Sequence, residues 1–360
     1  MARTKTIHQI MPGFLYGDAL GNQAYRIRDL LRRWGYRSQV YAQFRDSRLA
    51  DPGLEYTRYR GDPDNVLIFH YSIGSPVTEF VRQLPDRVVL YYHNVTPAEY
   101  LTGYNSEMAQ LLGQGRRELT LFADSAYALA ASGFNRQELA EVGFRHVDVL
   151  PYFVYFDELF DSSMSESGCD VVKRFDDGWV NLLFVGRLVP NKRQDDLIRL
   201  FNYYHKLVNP KSRLMLIGSD SNAPGYRLEL EALIEALDLD NVLLPGPIGL
   251  QEGLGGYYRA ATAFVSMSEH EGFCVPLLEA MAFEKPVIAF RATGVPYALG
   301  EAGVLFNAKR YDVIGELIQL LVDDEHLCRQ VVARQRQHLL HFQPNLVAQR
   351  LESCIKQLLD

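Results

Sequence analysis

Two glutamates, Glu271 and Glu279, stand eight positions apart in SEHEGFCVPLLEAMAFEKPVIAF, Ser268–Phe290. The first precedes Gly272 in a turn. The second falls among Leu277, Leu278, Ala280 and Met281. A carboxylate in apolar company is costly unless it is satisfied. A cis-diol such as a ribose would satisfy Glu279, and sugar hydroxyls would satisfy Glu271. The bland reading of Glu279, a helix residue stabilised near an N-terminus, stands equally beside it. Pro276 suits a first helical turn, where its missing N–H costs nothing. The backbone around Gly272, Phe273, Cys274 and Val275 would then offer an anion or hydroxyl site.

A second constellation lies in LLFVGRLVPNKRQDDLIRL, Leu182–Leu200. An apolar strand ends at Gly186, where something can approach the backbone closely. Arg187 follows, and Lys192 stands at the lip of the next helix. A guanidinium fork and a mobile ammonium together suit a diphosphate. Taken alone, they read equally as solvated loop charges. In the first half, Gly17, Asp18, Gly21 and Asn22 separate the first strand from its helix, without the GxGxxG fingerprint. His93 ends the apolar run RVVLYYH, and His70 ends NVLIFH, with Ser72 and Ser75 just beyond. A histidine at a strand's C-terminal end is better placed for a ligand than one inside a core.

These residues need elements to carry them. Short apolar runs alternate with helical stretches through both halves: Ile7–Met11, Ser38–Tyr41, Asn65–His70, Arg87–His93, Leu119–Ala123 and His146–Leu150, then Trp179–Gly186, Arg213–Gly218, Val242–Leu244, Ala263–Met267 and Pro286–Phe290. That rhythm predicts βαβ units and two open, mostly parallel sheets in series. The polar stretch between Phe160 and Gly178 is expected to link them. The organisation expected is a first domain over residues 1–165 and a second over 166–343. A helix over 344–360 then crosses back to the first. Such sheets bind ligands outside the C-terminal ends of their strands.

The chain has 360 residues, 48% of them apolar, enough for two cores. Its net charge is -7, which argues against a nucleic-acid partner. Cys169, Cys274, Cys328 and Cys354 form no CxxC pair, as expected of reduced thiols in the cytoplasm. No signal peptide or spanning helix is expected. Arg26, Arg28, Arg32, Arg33 and Arg37 cluster around one early helix. They leave a peripheral membrane contact open beside the plainer solvated face. Asp62 with Asp64, Asp238 with Asp240, and His270-Glu271 have the look of metal motifs. The first two sit in surface turns and the third lacks its second histidine, so no metal is expected.

GRLVPNK together with EHEGFCVPLLEAMAFEKPVIA resembles the retaining glycosyltransferases of family 4, the glycosyl transferases group 1. Their best-known motif is two glutamates separated by seven residues, here Glu271 and Glu279. The likeness extends to Asp124-Ser-Ala-Tyr, to Pro151 with Phe153, Val154 and Asp157, and to Val295–Phe306. It implies the GT-B architecture, two Rossmann-like domains facing across a cleft. It also implies transfer of a hexose from a UDP- or GDP-sugar to an acceptor hydroxyl. Carried over, Gly186, Arg187 and Lys192 hold the donor diphosphate, Glu279 the ribose and Glu271 the transferred sugar. The backbone of Gly272, Phe273, Cys274 and Val275 surrounds sugar and phosphate, and Ser219, Gly246 and Ile248 stand near the base. Gly21 faces the donor phosphate. Asp18, Asn22, His70 and Ser72 are acceptor-side candidates. The family often has glycine at the position of Cys274.

By the same resemblance, His93 positions the transferred sugar, and His93, Arg187, Lys192 and Glu271 form the catalytic set. No carboxylate suits a double displacement, so front-face attack is expected, the leaving phosphate taking the acceptor proton. No cofactor is expected. The acceptor would be a saccharide or lipid-linked saccharide, and the setting cytoplasmic or at the inner membrane face. Rival readings are a GT-B-like phosphorylase or epimerase, and an inactive sugar-nucleotide-binding subunit.

Overall fold

The computed structural model describes residues 5–15, 17–124 and 127–359. The strands are β1 Ile7–Phe14, β2 Val40–Arg45, β3 Leu54–Glu55, β4 Val66–Tyr71, β5 Arg87–Tyr92, β6 Tyr127–Ala130 and β7 Val147–Val149, followed by β8 Val180–Val185, β9 Ser212–Ile217, β10 Val242–Gly246, β11 Ala263–Ser266, β12 Val287–Phe290 and β13 Val304–Phe306. They form two all-parallel sheets, ordered β3-β2-β1-β4-β5-β6-β7 and β10-β9-β8-β11-β12-β13. Central strands such as VLIFHY (β4) are buried along their whole length, as parallel strands covered on both faces must be. In each sheet the chain winds outward, returns to the first strand and winds the other way. The order reverses between β1 and β4, and again between β8 and β11. At such a reversal the loops diverge and leave a crevice at the strands' C-terminal ends.

The chain divides into two units. One comprises Met1–Ala98, Glu107–Phe153 and Pro344–Asp360; the other Glu99–Ser106 and Val154–Gln343. The helix Pro344–Leu359 thus belongs to the first unit. There its Cys354 thiol and Gln357 amide meet Asp148 and Tyr127.

Several elements differ from the sequence expectation. Phe160–Gly178, expected as a linker, is largely occupied by the helices Phe156–Met164 and Glu166–Phe175, the second capped by Ser165. The division falls earlier, at Phe153/Val154. Leu119–Ala123 is no strand: Leu119–Phe122 is a 3-10 turn prolonging the helix Ser106–Glu118, and its Leu119 and Phe122 are buried by that turn. A short apolar run does not distinguish a strand from a buried helix end. Of Asp124-Ser-Ala-Tyr, Ser125 and Ala126 lie outside the described residues.

Candidate functional site

In the second unit, Gly186 directly follows β8. A Cβ on Gly218, which follows β9, would lie 1.9 Å from the Gly186 carbonyl oxygen. The close approach expected at Gly186 is therefore made by the neighbouring strand end. Arg187 comes next and is exposed. The turn Pro190–Lys192 then carries Lys192 back, and its ammonium pairs with Glu271 Oε2. The two side chains are only 14% and 7% exposed. The strongest cation and carboxylate candidates of the sequence thus meet across the β8–β11 crevice.

The Glu271 loop is held from three sides. Buried Asn191 donates to the His270 carbonyl (3.0 Å), and its own carbonyl accepts from Glu269 N–H (2.8 Å). Thr293 Oγ1, beyond β12, accepts from Glu271 N–H (2.8 Å) and donates to the Glu271 carbonyl (2.9 Å). Gly294 N–H reaches the same carbonyl at 2.9 Å. A Cβ on Gly294 would lie 2.5 Å from the Gly272 carbonyl oxygen, so only glycine lets these loops touch. Beneath them, Arg193 joins Asp195, Asp196 and Glu269, while Lys309 joins Asp196 and Glu269. Sequence reasoning missed Asn191, Thr293, Gly294 and Lys309. Thr293-Gly294 directly after a strand was the available signal; Lys309 had none.

The helix Val275–Ala282 opens at Cys274, whose φ of 76° is left-handed. Its leading amides have no intrahelical acceptor, which makes them available to an anion. Burial and the Glu271 carboxylate push the Cys274 thiol well above its usual range. It therefore stays protonated and is no nucleophile. On this helix, Glu279 Oε2 accepts from Tyr258 Oη at 2.5 Å. The glutamate side chain keeps some exposure, but its carboxyl is surrounded by protein. Burial raises its pKa, and the Tyr258 hydrogen bond opposes the rise. One carboxylate oxygen is held and the other has no protein partner among the described residues. Ser219 and Ile248 follow β9 and β10, and Gly246 ends β10, at the same edge. The Ser219 carbonyl accepts from Leu188 N–H (2.8 Å), and the Gly246 carbonyl from Gly218 N–H (3.0 Å).

In the first unit, Gly21 packs against the loop after β1: a Cβ there would lie 2.3 Å from the Leu15 carbonyl oxygen. Asp18 precedes the helix Ala19–Arg33 and accepts Asn22 N–H at its carbonyl (2.9 Å). Asn22 is exposed, and Ser72 is half-buried just past β4. His70 and His93 occupy a continuous hydrogen-bonded chain. Gln9 Nε2 donates to the Ala24 carbonyl (3.0 Å), which turns Gln9 Oε1 toward His70 Nε2 (2.8 Å). His70 Nδ1 meets His93 Nε2 (2.9 Å), and His93 Nδ1 meets Tyr152 Oη (2.8 Å). The one backbone carbonyl sets every tautomer: both histidines carry their proton on Nε2, and Tyr152 donates. Burial holds His70 down to about 3 and His93 well below its ordinary value, so both are neutral. His70, expected on the acceptor side, is fully buried with both nitrogens engaged. It braces His93 rather than meeting an acceptor. His93 itself has no ring nitrogen left for a sugar. Gln9 and Tyr152 escaped sequence reasoning, because nothing local marks a glutamine on a strand or a tyrosine in a loop.

Of the five clustered arginines, Arg28 is buried against Asp51 (2.8 Å) and Arg32 Nε donates to the Ser38 carbonyl (2.9 Å). Those two are committed within the unit. No helix among the described residues is long and apolar enough to cross a membrane.

Two doubly wound parallel sheets in one chain, each with its own switch point, define the GT-B class of glycosyltransferase fold. Solved structures agree over nearly the whole length. Sucrose-phosphate synthase from Thermosynechococcus elongatus superposes with a TM-score of 0.73, 18% identical, covering 98% of this chain and 99% of that one. Anabaena HepE in complex with UDP-glucose gives 0.71 at 16% identity, covering 98% and 99%. Residues 172–338 match the family model of the Glycosyl transferases group 1. A D-inositol 3-phosphate glycosyltransferase of Acidothermus cellulolyticus is 34% identical over 152 residues, 39% of this chain and 34% of that protein. The alignment therefore spans about a third of that relative's length.

Proposed function

We propose that this protein transfers a hexose from a UDP- or GDP-sugar to an acceptor hydroxyl, with retention of configuration, in polysaccharide or glycoconjugate synthesis. One observation carries the reading: Glu279 has one oxygen held by Tyr258 and the other unclaimed among the described residues, beside the Lys192–Glu271 pair and a helix N-terminus. A solvated helix glutamate would not be buried on a tyrosine. A ribose hydroxyl would complete it. The relatives add support, since UDP-glucose is bound by the Anabaena protein and a glycosyltransferase name is borne by the Acidothermus one.

In the proposed reaction the acceptor oxygen attacks the anomeric carbon from the face the diphosphate leaves. The bond to the diphosphate oxygen breaks, and its electron pair departs with the nucleoside diphosphate. The acceptor proton passes to a leaving phosphate oxygen. Arg187, Lys192 and the amides at Cys274 and Val275 stabilise the charge that builds on that phosphate. Two side-chain cations make the reaction metal-independent, with no cofactor. Glu271, released as Lys192 turns to the phosphate, accepts from sugar hydroxyls. His93, neutral with both ring nitrogens engaged, transfers no proton. A saccharide, free or lipid-linked, is the proposed acceptor, and the proposed setting is the cytoplasm or the inner membrane face.

The test is a binding screen of UDP, GDP, ADP and their hexose conjugates, with wild type and Glu279→Ala in parallel and EDTA present. One nucleotide should bind selectively and be lost in the variant. Folded wild-type protein that binds none would overturn the donor site.

A further inference from the structure

The segment Glu99–Ser106 lies between β5 and β6 in sequence, yet it is part of the second unit. It is outside the family-matched region 172–338. Leu101 is buried, and its carbonyl accepts the N–H groups of Tyr104 (3.0 Å) and Asn105 (2.8 Å), which rolls the segment into a compact turn. Three side chains leave that turn for three places. Tyr104 Oη donates to Glu229 Oε2 (2.7 Å), while its ring covers Gly225 and stands edge-on to Tyr226 at 5.6 Å. Asn105 Nδ2 donates to the Asn222 carbonyl (3.2 Å) in the loop after β9 that begins with Ser219. Tyr100 stands 6.4 Å from the ring of His270, the residue before Glu271.

These contacts lead directly into the site. Tyr226 Oη donates to Asp195 Oδ1 (2.9 Å) and accepts Asp195 N–H (3.2 Å). Asp195 grips Arg193 at 3.0 and 2.9 Å, and Arg193 reaches Glu269 at 3.1 Å. The strap thus touches the loops after β9 and β11, which flank β8 at the C-terminal edge of the sheet. A surface turn without a role would need none of these partners. Here Asn105 is spent on the loop that carries Ser219, Tyr104 on the helix Pro224–Ala236 that follows it, and Tyr100 on the loop that carries Glu271.

We propose that Glu99–Ser106 is a positioning strap for nucleotide-sugar binding: Asn105 fixes the loop after β9, Tyr104 fixes the helix Pro224–Ala236 that follows that loop, and Tyr100 stands beside the Glu271 loop. The inference rests on the donor-site reading above. Binding and strap order are then linked, and the linkage is reciprocal. A nucleoside diphosphate tightens the strap, and loosening the strap weakens the nucleotide.

The experiment is hydrogen exchange of the full chain with and without the nucleoside diphosphate that the screen selects. It is repeated on Tyr104→Phe/Asn105→Ala, which removes the Tyr104–Glu229 and Asn105–Asn222 hydrogen bonds and keeps the Tyr226 ring contact. Expected are slowed exchange over 99–106 as well as 219–222 and 269–275 in the wild type, and a Kd raised about fivefold in the variant, at the lower end of ordinary site coupling. KM for the sugar nucleotide should rise with kcat little changed, a split that general destabilisation would not give. Protection of 219–222 and 269–275 without 99–106 overturns the strap and leaves the donor site standing. An unchanged Kd in the variant does the same. No protection anywhere in the wild type overturns the donor reading, and the strap with it.

Discussion

At the scale of single residues, the site works by what each polar atom lacks. Glu279 has one oxygen on Tyr258 and, among the described residues, one unclaimed. Tyr258→Phe should weaken nucleotide binding about five- to tenfold, one lost hydrogen bond to a buried carboxylate, with isothermal titration as the measure. Cys274 is a different matter. Its φ of 76° is a conformation that L side chains rarely adopt, costing on the order of 1 kcal/mol relative to glycine. Cys274→Gly should therefore be more stable than Cys274→Ala by about 1 kcal/mol in denaturant titrations, since both lose the thiol and only glycine relieves the backbone. A raised thiol pKa also predicts that alkylating reagents leave Cys274 untouched in folded protein at pH 7.

At the scale of elements, what matters is how the loops after β8, β11 and β12 interlock. Asn191 spans the first two, and Thr293 and Gly294 join the second to the third. Gly294→Ala would set a methyl 2.5 Å from the Gly272 carbonyl oxygen, with backbone rather than a flexible side chain as the obstacle. It should cost about 1–3 kcal/mol of stability, as overpacking does, and abolish measurable nucleotide binding by moving Glu271 and Gly272. Stability retained together with wild-type affinity would contradict the interlock. The Lys192–Glu271 pair belongs to the same scale. Lys192→Ala strands a carboxylate that is 7% exposed, and the loss in unfolding free energy should approach about 3 kcal/mol. Lys192→Ala/Glu271→Ala should recover part of it, because the stranded charge is gone. A double variant no more stable than Lys192→Ala would show that the pair is not isolated.

At the scale of the whole molecule, the two units answer to different agents. The first holds the neutral chain Gln9–His70–His93–Tyr152, and both histidines take up a proton less readily folded than unfolded. An unfolded chain binds protons at the ordinary value near 6.5, so stability is full above that pH and falls as pH drops toward the folded value of about 3. Between pH 8 and pH 5, His70 alone should remove about 2 kcal/mol, and His93 acts in the same direction. Denaturant titrations at the two pH values, read by hydrogen exchange in β1, β4 and β5, should show the loss there. The imidazole resonances of His70 and His93 should not shift across that range. A nucleoside diphosphate should instead slow exchange in the loops of the second sheet.

The sequence by itself determined the α/β rhythm, the parallel sheets and the residues proposed to hold the diphosphate and ribose. Apolar runs buried on both faces and bounded by glycine carry that information locally, and the two glutamates and the Arg–Lys pair lie within single stretches of chain. It misread Leu119–Ala123 and Phe160–Gly178, since an apolar run and a polar run are each compatible with helix once capping and neighbours are known. Only the tertiary structure decided that Lys192 meets Glu271 and that Tyr258 holds Glu279. It also decided that His70 serves His93 rather than a ligand, and that eight residues of the first half belong to the second unit. Each of these joins residues carried by different elements. The way the strands and helices are ordered in space creates them, and no spacing along the chain encodes that order.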